Sequence, residues 1–121
     1  MAAHNELGRE GEETAVSYLM GKGYIIRDRN WKLNHLELDI VAVKDDQLVV
    51  VEVKTRSNTL FMEPEEAVNR TKMRRIVLAA NAYIRRYRID LPVRFDIVTV
   101  VGKEQPFTIN HIEEAFCPPL F

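Results

Sequence analysis

Two residues near the end of an apolar run carry the first chemically suggestive pattern in the chain. Glu52 and Lys54 lie two positions apart, at the end of the largely β-branched stretch 48–53. Residues two apart in a strand share a face, so this carboxylate and this ammonium are expected to point the same way. Burying such charges is costly unless they are paired or bind a ligand. The pattern therefore predicts a site at this end of the strand.

An acidic pair precedes that strand. Glu37 and Asp39 are again two apart, within the alternating apolar pattern of residues 36–43. The intervening Asp45-Asp46 is suited to a tight turn, so the two runs are predicted to form an antiparallel hairpin. A hairpin closed at that turn puts Asp39 level with Glu52. Two neighbouring carboxylates repel each other and raise at least one pKa, and a divalent cation removes that repulsion.

This set of groups matches the requirements of phosphodiester hydrolysis. Carboxylate oxygens are hard ligands that suit Mg²⁺ or Mn²⁺ better than zinc. Such a cation lowers the pKa of a bound water and neutralises charge on a phosphoryl oxygen, while Lys54 can orient or deprotonate the water. Glu10, Glu12 and Glu13, near the start of a predicted first helix, offer a further carboxylate. The competing interpretation is a solvated surface ion pair, which contributes about 0–1 kcal/mol.

The surrounding elements alternate between helix and strand. Apolar and small residues repeating every fourth position predict a helix over residues 5–22, followed by a short strand at 24–26. A second helix is predicted after Pro64, then a strand over 94–101 and an edge strand within 108–112. A helix between two strands favours parallel pairing, so the prediction is an α/β fold with a central mixed sheet flanked by helices. The predicted apolar face of the second helix consists of Met73, Ile76, Val77, Ala80, Ile84 and Tyr87.

Bulk composition limits the class of protein. The chain has 121 residues, 46% of them hydrophobic and 29% charged, which predicts one globular domain over residues 1–121. Its one cysteine, Cys117, excludes an internal disulfide and a cysteine-rich zinc site. Neither a membrane-spanning run nor a signal peptide is visible, so a cytoplasmic location is expected.

Basic residues are concentrated in the second half, although the formal net charge of the chain is -1. On a helical projection they lie away from the apolar face of the second helix. They are interpreted either as a solvated helix exterior or as a surface that holds a nucleic-acid backbone regardless of its sequence. Arg94 continues this basic stretch. The predicted nucleic-acid-binding residues are Lys72, Arg74, Arg75, Arg85, Arg86 and Arg88.

Six short motifs are spread over most of the chain: Gly8-Arg9-Glu10-Gly11-Glu12, Asn30-Trp31, Glu37-Leu38-Asp39, Val51-Glu52-Val53-Lys54-Thr55-Arg56, Pro64-Glu65-Glu66-Ala67-Val68 and Phe95-Asp96-Ile97-Val98. In these motifs the chain resembles the YraN family of bacterial proteins. That family is similar to archaeal Holliday-junction resolvases and other PD-(D/E)XK nucleases. The resemblance implies a restriction-endonuclease-like core in the order helix, three strands, helix, strand.

The resemblance also implies roles for individual residues. Asp39 and Glu52 would be metal ligands and Lys54 the catalytic lysine, with Glu12 as an acid supplied by the first helix. The backbone carbonyl of Val53 is expected to help hold Mg²⁺ or Mn²⁺. Glu37 is expected either beside these ligands or as the outward partner of an arginine, and Thr55 to hydrogen-bond near the site. In one departure, Leu36 replaces a glycine usual in the family, which would narrow access to the site.

The function implied is metal-dependent hydrolysis of DNA phosphodiester bonds, on branched or repair-intermediate DNA. One alternative is a nucleic-acid-binding accessory module that keeps the nuclease fold without turnover, because fold and activity separate readily. Another is a protein-interaction domain whose arginines bind an acidic partner. Branched-DNA resolvases pair their sites across dimers, so the analogy is compatible with a homodimer.

Overall fold

A computed structural model describes residues 2–57 and 69–118, in which two helices and five strands form an α/β fold. The first half contains one helix and three strands, and the second half begins with the other helix. The elements are α1 (Ala2–Gly21), β1 (Ile25–Leu33), β2 (Leu36–Lys44), β3 (Gln47–Arg56), α2 (Arg70–Tyr87), β4 (Val93–Val101) and β5 (Thr108–Phe116).

The five strands form one mixed sheet in the order β1-β2-β3-β4-β5. All neighbours are antiparallel except β3 and β4, which α2 connects and which run parallel. The predicted hairpin is confirmed: Lys44 pairs with Gln47, and the two turn residues Asp45 and Asp46 have φ angles of 50° and 62°. Aspartates tolerate this left-handed backbone in two-residue turns. The predicted mixed α/β sheet is therefore confirmed.

The two helices cover opposite faces of the sheet. Val49 and Val51 of β3 belong to the core packed under α1, together with Leu19. Leu48 and Val50 belong to the other core, under α2. Burial on both faces explains the continuous apolar run of β3. Charged residues at the C-terminal end of β3 are therefore unusual, because the rest of the strand is apolar and buried on both faces.

Some boundaries differ from those expected. β1 extends to Leu33 instead of ending near residue 26, because a register shift after Ile26 and a left-handed Asn30 (φ 51°) break the alternation of its side chains. β5 likewise extends to Phe116. The motif at residues 64–68 and the predicted start of the second helix after Pro64 lie outside the described residues. Within the described residues, neither helix combines the length and apolarity needed to cross a membrane.

Close packing of α1 on β3 depends on Gly11. A Cβ atom built at this buried position would lie 2.9 Å from Thr55 Cγ2 and still closer to Thr55 Oγ1. Such an approach between a helix and a strand requires a residue without a side chain. Gly11 thus brings the middle of α1, with the following Glu12, against the charged end of β3.

We expect Gly11→Ala to lower the free energy of unfolding by about 1–3 kcal/mol, because the added methyl group must displace α1 or Thr55. Urea denaturation measures the change. Gly8→Ala is a matched control in the same helix, since a Cβ there meets nothing within 4 Å. It should be neutral or stabilising by up to about 1 kcal/mol through helix propensity. Equal effects of the two substitutions would contradict this packing argument.

Candidate active site

An open cavity of about 420 Å³ lies at the C-terminal end of β3. Four elements contribute to it: the middle of α1, the middle of β2, the end of β3 and the first turn of α2. The tertiary structure thus brings the acids and the lysine singled out in the sequence to one place. The lining residues are Gly8, Arg9, Glu12, Asp39, Glu52, Val53, Lys54, Thr55 and Lys72.

Asp39 lies where β2 and β3 separate. Their ladder pairing runs to Ile40 and Val51. Beyond it, the backbone N–H of Val53 donates to the Asp39 carboxylate, with 2.8 Å between Val53 N and Asp39 Oδ2. A side-chain oxygen therefore accepts a hydrogen bond from a backbone N–H next to the point where the ladder stops. This contact holds the Asp39 carboxylate beside the cavity.

Glu52 is the most deeply buried acid of the cavity, with 7% of its side chain exposed. Its Oε2 atom is 3.5 Å from Lys54 Nζ and 3.4 Å from Lys72 Nζ. Two ammonium groups therefore offset the desolvation of one carboxylate. Lys72, 20 positions away in sequence, was predicted to bind a nucleic-acid backbone, and its ion pair with Glu52 was not foreseen.

Burial and neighbouring charge raise the pKa of Asp39 to about 7. Burial is the largest cause, and the negative charge of Glu52 is the next. The hydrogen bond from the Val53 N–H lowers the pKa, Glu12 raises it and Lys72 lowers it. The carboxylates of β2 and β3 therefore repel across the cavity, as expected from the sequence. A cation bound between them would relieve that repulsion.

Stability should consequently depend on pH through Asp39. Between about pH 4 and pH 7 the unfolded chain loses this proton while the folded chain keeps it, so the free energy of unfolding falls as pH rises. A rise of the Asp39 pKa from 3.8 to about 7 corresponds to a contribution on the order of 4 kcal/mol. Asp39→Asn keeps an oxygen acceptor for the Val53 N–H and should remove this decline. Urea denaturation at pH 4.5–8 measures it.

Glu37→Gln is the matched control for this pH series, because Glu37 is an exposed acid of the same strand. The free energy of unfolding of Glu37→Gln should depend on pH in the same way as that of the unsubstituted chain. A profile for Asp39→Asn that also follows the unsubstituted chain would contradict the raised pKa of Asp39.

The donor set of the cavity fits a partly hydrated divalent cation. Within residues 2–57 and 69–118, no three Asp, Glu, His or Cys side chains form a ready-made metal cluster. Mg²⁺, however, commonly binds through one or two carboxylates and keeps several waters. Asp39 and Glu52 supply those carboxylates. Glu12 lines the same cavity, where its Oε1 accepts a hydrogen bond of 3.1 Å from Asn30 Nδ2. The roles of these acids as ligands remain predictions.

Comparison with known sequences places the chain in a family. Residues 11–100 match the profile of the Uncharacterised protein family UPF0102. The chain belongs to this family. YraN proteins form family UPF0102, so the resemblance seen in the sequence motifs is confirmed.

Similar UPF0102 proteins occur in several bacteria. The chain is 62% identical over 121 residues to one from Bacteroides thetaiotaomicron and 59% identical over 121 residues to one from Phocaeicola vulgatus, covering 100% of both proteins in each case. A UPF0102 protein of Flavobacterium psychrophilum is 44% identical over 116 residues, which cover 96% of this chain and 98% of that protein. The matches to the first two proteins therefore span the whole of this chain.

Thr55 and Glu37, the other site residues predicted for this UPF0102 chain, line different cavities. Thr55 lines the cavity, and its side chain also limits the approach of α1. Glu37 is exposed and lines a separate, smaller cavity of about 100 Å³, together with Lys72 and Arg75. Both positions are therefore at or beside the site, and neither is deeply buried.

The predicted basic surface of α2 is divided along the helix. Lys72 lies in the main cavity and Arg75 in the smaller one. Arg85, Arg86 and Arg88 are exposed, but Arg85 is 13 positions beyond Lys72, which corresponds to about 20 Å of helix. Only the first turns of α2 therefore belong to the site.

A second polar cluster, unforeseen in the sequence, is buried where β4 meets β5. Asp96 is fully buried and accepts bonds from Arg94 Nε and Nη2 (both 2.9 Å) and from His111 Nε2 (2.7 Å). Tyr18 and Tyr24 extend the cluster through His111 Nδ1 and Arg94. Arg94 is thus 12% exposed, and counting it with the basic surface stretch was wrong. The sequence does indicate this pair: Arg94 and Asp96 are two positions apart on an apolar strand and so share a face, as Glu52 and Lys54 do.

Proposed function

We propose that this UPF0102 chain is a Mg²⁺- or Mn²⁺-dependent endonuclease of the PD-(D/E)XK type, which hydrolyses DNA phosphodiester bonds in branched or repair-intermediate DNA. The observation that carries the proposal is the convergence of Asp39, Glu52 and Lys54 in one cavity open to solvent. The order of helix, three strands, helix and strand supports it, because the same order characterises the nuclease core that the motifs resemble.

Each residue would have a defined part in the reaction. Asp39 and Glu52 would hold the cation, with help from Glu12 and the backbone carbonyl of Val53. The cation, when bound, would lower the pKa of a water molecule and offset the negative charge of the phosphoryl oxygens. Lys54 would position the attacking water through its ammonium group, which is held 3.5 Å from Glu52 Oε2.

The surroundings of the cavity suit a phosphate backbone. Arg9 and Lys72 line it, and Arg75 lines the adjoining smaller cavity. Cations beside an acidic centre attract the substrate while the acids hold the metal, and such contacts are independent of base sequence. These local cations support DNA binding at the site, although the formal net charge of the whole chain is -1.

The test is a cleavage panel with purified full-length chain. Labelled four-way junctions, flaps, nicked duplexes, linear duplexes and single strands are incubated with Mn²⁺, with Mg²⁺ or with EDTA. Cleavage that requires the divalent cation, and that prefers a branched substrate, is expected. Absence of metal-dependent cleavage on every substrate would reject the enzymatic proposal. A homodimer and a cytoplasmic location are accompanying proposals. Sedimentation with and without junction DNA tests the homodimer.

One observation favours a second candidate, a DNA-binding accessory module without turnover. Glu52 is already neutralised by two lysines, so the folded chain does not require a cation to satisfy this buried acid. Such a module would bind branched DNA equally well in EDTA and in Mn²⁺, and would cleave none. The same panel, read by gel shift as well as by cleavage, separates the two candidates.

A further inference from the structure

The two ammonium groups on Glu52 Oε2 differ in how firmly they are held. Lys54 projects from β3 and its side chain is 18% exposed. Lys72 projects from the first turn of α2 and its side chain is 39% exposed. A long, half-exposed lysine side chain can move into solvent without unpacking the core. Lys72 is therefore the partner of Glu52 that can leave.

The position of Lys72 in α2 is not explained by helix stability. It is the third residue of the helix, where the dipole disfavours a cation, whereas Arg85 and Arg86 occupy the favourable last turn. Its backbone N–H donates to Asn69 Oδ1 (2.9 Å), which anchors the main chain and leaves the side chain free to reorient. The contact that accounts for a lysine here is the one with Glu52, 3.4 Å away.

An ammonium and a divalent cation compete for the same carboxylate oxygen. Glu52 Oε2 carries both lysine contacts, and Asp39 lines the same cavity. A cation bound by these two acids would meet the positive charge of Lys72 at close range, in partly desolvated surroundings where repulsion is strong. Lys54 is held by its strand, so the repulsion is relieved by movement of Lys72.

We propose that Lys72 is an exchangeable counter-ion of the site: it neutralises Glu52 while no divalent cation is present, and it leaves Glu52 when Mg²⁺ or Mn²⁺ binds. The inference rests on the proposed function, since it assigns Glu52 to the metal site. It gives Lys72 a positioning role that the nuclease motif does not contain. Binding of the metal would thereby also release an ammonium group at the edge of the cavity.

Mn²⁺ titration by isothermal calorimetry tests the exchange without any measurement of cleavage. Lys72→Met removes the ammonium and keeps an unbranched side chain; Lys103→Met is the matched control, because Lys103 is exposed and lies in the turn between β4 and β5. We expect Lys72→Met to bind Mn²⁺ about 3–10-fold more tightly than the unsubstituted chain, and Lys103→Met to bind as the unsubstituted chain does.

The outcomes separate this inference from the proposed function. If the unsubstituted chain binds Mn²⁺ and Lys72→Met binds it no more tightly, the exchange is rejected while the metal site stands. Binding by Lys72→Met alone would reject the exchange, because Lys72 would then stay on Glu52 and exclude the metal from the unsubstituted chain. Absence of binding by all three chains would overturn both proposals.

A second measurement covers the case in which Lys72→Met does not fold. Crystal structures of the unsubstituted chain grown with Mn²⁺ and with EDTA compare the distance from Lys72 Nζ to Glu52 Oε2, which is 3.4 Å here. We expect the distance to exceed about 4 Å in Mn²⁺, beyond ion-pair range, while the Lys54 contact changes little. An unchanged Lys72 contact in crystals with a metal on Glu52, or crystals with no metal there, would reject the exchange.

Discussion

Lys54→Met is expected to lower the rate of Mn²⁺-dependent DNA cleavage by about 10²- to 10⁴-fold, the usual contribution of a positioned acid–base group. Methionine keeps an unbranched side chain at the end of β3 and removes the ammonium that lies 3.5 Å from Glu52 Oε2. The variant should still bind Mn²⁺, since Asp39 and Glu52 are retained. Single-turnover cleavage of the preferred substrate, together with calorimetric Mn²⁺ binding, measures both effects.

Lys103→Met is the control for this prediction, because the same substitution at an exposed turn should leave the rate unchanged. Cleavage by Lys54→Met within about threefold of the unsubstituted rate, with metal still bound, would remove Lys54 from the mechanism. A parallel loss of Mn²⁺ binding would instead show that the lysine supports the structure of the metal site.

The largest expected effect on stability is at the second cluster. Asp96→Ala should lower the free energy of unfolding by about 3–5 kcal/mol, because it leaves Arg94 and His111 buried without their shared carboxylate. It also leaves the backbone N–H of Glu114, which donates to Asp96 Oδ1 at 3.0 Å, without that acceptor. Urea denaturation near pH 7 measures the loss.

Glu113→Ala provides the contrast, since Glu113 is 63% exposed and lies 4.0 Å from the same arginine. Its cost should be within about 0.5 kcal/mol, as for a surface pair. A similar loss in both variants would show that burial does not decide the strength of these contacts with Arg94.

Asp96 should also contribute to acid unfolding. Burial alone would raise the pKa of this carboxyl, but hydrogen bonds from His111, Arg94 and the Glu114 N–H outweigh burial and lower it below its usual value of 3.8. The stabilisation is therefore complete above that value and is lost as pH falls through the lower pKa of the folded state. Asp96→Ala should reduce the loss of unfolding free energy at acidic pH. Asp39→Asn should instead reduce the fall of the unfolding free energy between about pH 4 and pH 7.

Local patterns in the sequence determined the sheet around the site. The aspartate pair at 45 and 46 fixes a two-residue turn, and that turn alone sets Asp39 near the level of Glu52. The alternation of side chains along a strand then places Glu52 and Lys54 on one face. The apolar run of β3 likewise predicted a central strand. These inferences succeeded because turn geometry and strand periodicity act over a few residues.

Tertiary structure alone decided the contacts between distant segments. Lys72 meets Glu52 because α2 crosses over the sheet and begins above the end of β3, and His111 meets Asp96 because β5 returns along β4. The Asp39 contact with the Val53 N–H depends on where the ladder between β2 and β3 stops. Helix docking and strand register set these distances, and both result from packing of the whole core, which no local pattern of residues specifies.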